Sequence, residues 1–77
     1  MNTIQAKEIV STSVKAAVQI CGSQVELAHR AGITQGAVGK YLRKEAIPKA
    51  STARRLSVAV NNQITPDQFS PIECSNI

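Results

Sequence analysis

Gln35, Gly36, Gly39, Lys40 and Arg43 are spaced so that, on a helix, they share one face. The Gln35 carboxamide can donate to adenine N7 and accept from N6, a bidentate match to a base edge in the major groove. Lys40 lies one to two turns further along, where it can reach guanine O6 or N7, or a phosphate. Arg43 and Lys44 stand where such a helix would leave the groove, so neutralisation of the backbone is their expected role. Gln24 opens an earlier helix whose free amides and positive dipole end suit a phosphate oxygen. Gly36 and Gly39 each cost about 1 kcal/mol of helix propensity relative to alanine. Bare positions on an outward face permit close backbone approach, and they predict a helix that frays in the free protein.

The charge distribution points to the same partner. The segment from Lys40 to Arg55 holds six cations against Glu45 alone, leaving +5, whereas three cations and four acids elsewhere leave −1. A field of one sign over so short a stretch implies a polyanion, most often a phosphate backbone.

Other chemistry finds little material. One histidine, His29, and five acids offer no spacing that pairs a nucleophile with a base, so no catalytic residues and no enzyme are expected. Cys21 and Cys74 lack the paired spacing of a zinc site or redox motif, which excludes a metal site and suggests a reduced, cytoplasmic setting. No cofactor and no small-molecule substrate are implied. The chain has no apolar run of about 18 residues, and Glu8 interrupts the N-terminal stretch, so neither a membrane span nor a secretory signal is expected. With 77 residues, 43% of them hydrophobic but only 3% aromatic, it can hold one small aliphatic core.

The elements that position these residues can be read from periodicity and capping. Val14, Ala17, Val18 and Cys21 mark a first helix ending near Gly22. Ile4, Ile9 and Val10 could extend it upstream, but Ser11, Thr12 and Ser13 are poor interior residues better suited to capping, so residues 1–10 form an uncertain extension. Ser23-Gln24-Val25-Glu26 has the form of a capping box and starts a second helix at Gln24, which Gly32 ends after Ala31. Ala28 sits where the next helix must come close. Thr34 caps a third helix through about Arg43, with Ala37, Val38, Tyr41 and Leu42 inward. A fourth helix buries Ala53, Leu56, Ala59 and Val60, and Asn61-Asn62 terminate it. Thr65-Pro66-Asp67-Gln68 is a second box with proline at the first helical position. It leads to Phe69, which closes the core or makes a dimer contact, and Pro71 stops the turn. Residues 72–77 are expected to be a loose tail.

Two short helices joined by a glycine turn, the second polar outward, form a helix-turn-helix. Residues 22–42, GSQVELAHRAGITQGAVGKYL, resemble that of the lambda-repressor-like superfamily, specifically the Cro repressors of temperate phages. With AAVQICGSQ before it, IPKA after it and ITPDQFSP closing the domain, the stretch from Val14 to Pro71 is similar to the Cro-type YdaS proteins of prophages. The resemblance implies an all-α bundle of four to five helices in a single domain spanning 1–77. It also implies operator DNA as ligand and base reading by Thr34, Gln35, Gly36, Gly39 and Lys40. A Cro-like repressor acting as a weak homodimer on palindromic DNA is the expected function. An activator with the same docking, or an antitoxin-like interaction module of a prophage toxin pair, are the alternatives.

Overall fold

The first helix starts well upstream of where the serine-threonine run would place it. In the computed structural model, which describes residues 2–71, the Asn2 side-chain oxygen accepts from the Gln5 amide at 2.8 Å. The Gln5 carboxamide oxygen accepts in return from the Asn2 amide at 3.3 Å. This reciprocal cap opens α1 (Thr3–Cys21), which runs uninterrupted for 19 residues. Ser11, Thr12 and Ser13 are therefore interior residues and not caps. Burial overrides their weak propensity, because Ala6, Val10, Val14, Ala17 and Cys21 form one continuous apolar stripe. Ser11 also has a partner: its hydroxyl donates to the Leu42 carbonyl at 2.9 Å, satisfying an acceptor that a helix end leaves open.

Gly22 takes the left-handed conformation that ends α1, at φ 102°. Ser23 then caps α2 (Gln24–Ala31) by accepting from the Glu26 amide at 3.0 Å. The expected box is only half formed. The Glu26 carboxylate turns instead to Arg30, one helical turn on, with Nε to Oε2 at 3.0 Å. At the other end Gly32, at φ 70°, makes a Schellman turn in which the Ile33 amide donates to Ala28 and the Gly32 amide to His29. Three residues separate α2 from α3 (Gln35–Leu42), whose cap is Thr34.

Helix α4 (Ala50–Ala59) and the single turn α5 (Pro66–Phe69) complete an all-helical bundle of five elements. Among the described residues no strand forms. Helix α3 packs on α1 and α2, α4 packs on α2 and α5, and α5 returns to α1, so one shared core braces the α2–α3 pair from behind. Its members include Val10, Val14, Leu27, Ala28, Val38, Ala53, Leu56, Val60 and Phe69. Leu27 and Leu56 are fully buried, and each contributes about 1.5–3 kcal/mol through removal from water. Val38, expected to plug between α2 and α3, is fully buried in the core. Ala37, Tyr41 and Leu42, expected inward, are half-buried, and Phe69 is a core residue.

Two polar groups pin the C-terminal part. The Ser57 hydroxyl donates to the Ile64 carbonyl at 2.7 Å, and the Ser70 hydroxyl donates to the Pro48 carbonyl at 2.7 Å. Asn61 and Asn62 follow α4 in left-handed conformations, at φ 55° and 62°. At α5 the Gln68 carboxamide accepts from the Thr65 amide at 3.1 Å. The tail expected at 72–77, with Cys74, lies outside the described residues.

Candidate nucleic-acid interface

Helix α3 presents an uncommon face to solvent. Val38 turns into the core while Gln35, Gly36, Lys40 and Arg43 are exposed, so the Gln35 and Lys40 side chains, expected to read bases, point outward. Thr34 is exposed too, but its hydroxyl oxygen accepts from the Ala37 amide at 3.1 Å, leaving the hydroxyl proton as its means of contacting a ligand. Tyr41 is half-buried, and desolvation holds its phenol above the ordinary tyrosine range, so it stays protonated.

Gly39 behaves differently from Gly36. It lies near the centre of the outward face yet is only half-exposed, because the Arg43 side chain leans back one turn and covers it. The Arg43 Nη1 lies 2.9 Å from the point a β-carbon on Gly39 would occupy. Arg43 Nε also donates to Glu45 Oε2 at 2.8 Å. That hydrogen bond holds the Glu45 carboxyl below its ordinary range and raises the guanidinium further above its own.

Proximity of Arg43 to Glu45, two residues apart, depends on the end of α3. Lys44 adopts φ 64°, the Glu45 amide donates to Lys40 at 2.9 Å and the Lys44 amide to Tyr41 at 3.2 Å, so a Schellman turn forms with lysine in the place usually held by glycine. No glycine marks this turn in the sequence, and the Arg43–Glu45 pair went unanticipated for that reason.

Beside α3 runs an open groove of about 590 Å³. Thr34, Gly36 and Lys40 line it from α3, Ala46 and Ile47 from the connection, and Lys49 and Thr52 from the α4 start. The fold thus brings three of the expected site residues together and adds two polar ones, Lys49 and Thr52, that motif spacing did not single out. Lys49 was visible as part of the basic segment, whereas Thr52 carried no signal. Gln24 is exposed at the first position of α2, and Lys44 is exposed beyond the α3 cap; neither lines the groove. The basic segment also divides. Arg55 extends to the α2–α3 turn, its Nη1 3.9 Å from the β-carbon position of Gly32, and does not line the groove.

Other sites are less developed. A second open groove, of about 610 Å³, lies between α1 and α5 and is lined by Gln5, Glu8, Ile9, Thr12, Ser13 and Gln68. His29 is exposed, and Cys21 is buried with its thiol 3.7 Å from the Ala59 carbonyl. Among the described residues no helix is long and apolar enough to cross a membrane.

Comparison with known families matches residues 14–73 to the family described as "Bacterial toxin YdaS". No curated protein and no solved structure matches the chain. The match runs from within α1 through α5 and includes the whole α2–α3 pair, the groove and the Arg43–Glu45 turn. On that extent, the chain belongs to the YdaS family, a prophage-associated group with a helix-turn-helix-like fold.

Proposed function

We propose that this protein is a cytoplasmic, sequence-specific DNA-binding regulator of a prophage operator, a Cro-like repressor that inserts α3 into the major groove. The observation that carries this reading is the outward face of α3. Gln35 and Lys40 are exposed, not buried under another element, and a lysine-lined groove lies alongside. A helix of eight residues is about 12 Å long, matching a major groove about 12 Å wide. In this pose Gln35 and Lys40 face base edges together with Thr34, while Gly36 leaves the backbone bare for close approach and Gly39 lies beneath the Arg43 side chain. Gln24 and Lys44 contact phosphates, and Lys49 joins them from the α4 start. The protein binds without catalysing, uses no cofactor, and pairs weakly as a homodimer on half-sites about one helical turn apart.

Footprinting on the DNA flanking its own coding sequence tests this. A protected site is expected. Gln35→Ala should lose about 1–3 kcal/mol there and relax discrimination at one base pair. Lys49→Ala should weaken all sequences alike and make the slope of log K against log salt shallower by about 0.9. Unaltered binding by both variants would refute the pose.

The description of the family as a toxin favours a second reading, in which growth inhibition comes from contact with another protein. Val25 and Val58, 59% and 65% exposed, would supply apolar contacts for it. Expressing a Gln35→Ala, Lys40→Ala double variant separates the two. Inhibition that survives loss of DNA binding belongs to the protein-contact reading.

A further inference from the structure

We propose that Arg43 reads a guanine, held over the bare centre of α3 by Glu45 for that purpose; this rests on the DNA-binding reading above. Position alone gives Arg43 a phosphate, since its Cα lies at the exit of the helix. Side chains on a helix lean toward its N-terminus, however, and Arg43 places its guanidinium a full turn back, in the middle of the outward face.

Three features hold it there. Gly39 supplies the space: the guanidinium occupies room that a methyl group would contest, with Nη1, Cζ and Nη2 at 2.9, 3.7 and 3.8 Å from the β-carbon position. Gly36, one turn earlier, keeps the floor ahead open, since a β-carbon there would meet only Thr34 Oγ1 at 3.8 Å. Glu45 fixes the direction through Nε, and that bond leaves both terminal nitrogens for a ligand. Two parallel N–H donors from one arginine match guanine O6 and N7, the commonest specific contact in the major groove.

Glu45 also argues against a backbone role. An arginine bound to a carboxylate forms a neutral pair, and the carboxylate would meet an approaching phosphate with repulsion. Against a base edge the same carboxylate is useful, because it removes rotational freedom from a long side chain before binding. The glycines that cost α3 helix propensity thus make room for a planar group that offers two parallel N–H donors from separate nitrogens.

Selection from a randomised 20-base-pair duplex pool tests the assignment, with wild type, Arg43→Ala, Arg43→Lys, Glu45→Ala and Gly39→Ala run in parallel and each melted to confirm folding. Wild type should enrich a site containing a guanine that Arg43→Ala no longer selects, with discrimination there falling roughly tenfold or more while the other positions persist. Arg43→Lys should not restore it, because an ammonium cannot make the paired contact. Glu45→Ala should weaken the preference at that guanine while improving overall affinity at low salt. Gly39→Ala should melt higher than wild type yet lose the same guanine. If Arg43→Ala weakens every sequence alike and Arg43→Lys recovers it, Arg43 is a phosphate contact and the assignment is wrong. It is also wrong if the lost position is not guanine. A wild-type protein that enriches no sequence would sink the DNA-binding reading itself, and this assignment with it.

Discussion

Glu45 makes the environment of Arg43 measurable without DNA. Its carboxyl is held below the ordinary value of 4.5, first by the hydrogen bond from Arg43 and then by the nearby positive charges. A group whose folded pKa is depressed contributes its pairing above the unfolded value and loses it as pH falls through the folded one. The Arg43–Glu45 contact should therefore be intact at neutral pH and release on acidification below the ordinary carboxylate range. Following the Glu45 side-chain carboxyl by NMR should show the depressed titration, and Arg43→Ala should move it back up toward the ordinary range. A titration indifferent to Arg43 would mean that the side chain does not rest there. Lys44, in the same turn, bears a conformational cost of about 1 kcal/mol for a left-handed non-glycine residue. Lys44→Gly should raise stability by about that amount and lower DNA affinity through the lost charge, an opposition that melting and binding curves would reveal together.

Helix α3 balances weak propensity against firm ends. Thr34 caps it at one end, the Lys44 turn closes it at the other, and Ser11 of α1 satisfies the Leu42 carbonyl. Gly36→Ala meets no obstacle in the free protein, so it should stabilise by up to about 1 kcal/mol and slow amide exchange across α3. Ser11→Ala should act oppositely, costing about 0.5–1.5 kcal/mol by leaving a partly buried carbonyl without its donor. Exchange rates in α3 that ignore both changes would show that its ends do not control it. These same residues show what the sequence made legible. Ser23, Gly32 and Thr34 each signal a boundary through their own chemistry, so the α2–α3 pair and its outward face could be placed in advance. Ser11 could not be, because its partner lies 31 residues away and its local preference argues for a helix start. The true start was marked, by Asn2 and Gln5, in a form weaker than the serine-glutamate pattern found at Ser23. Lys44 offered no glycine to announce its turn, and Thr52 reaches the groove only through the path of the chain between α3 and α4. Caps built from their commonest residues were readable; caps built from rarer ones and contacts created by tertiary proximity were not.

For the molecule as one body, the interface depends on a core with a single phenylalanine. Phe69 is fully buried and sits on α5, a single turn too short to be stable alone, which meets both α1 and α4. Helix α1 in turn supports α3, so loosening Phe69 should disturb the reading face at a distance. The remaining buried core is mostly alanine, valine and leucine, with the half-buried Tyr41 packed against it. Phe69→Ala should cost about 3–5 kcal/mol, enough to threaten folding in so small a domain. Phe69→Leu, at about 1–2 kcal/mol, is the informative change. It should lower the melting temperature by about 4–8 °C for each kcal/mol lost. Operator DNA at about 100 times its dissociation constant adds about 2.7 kcal/mol to the folded state, so the selected duplex should return Phe69→Leu to at least the melting temperature of free wild type. An unrelated duplex at the same concentration should protect less, because nonspecific binding is weaker. Equal protection by both duplexes would show that the fold binds phosphate without reading sequence, and would confine this protein to a nonspecific role on DNA.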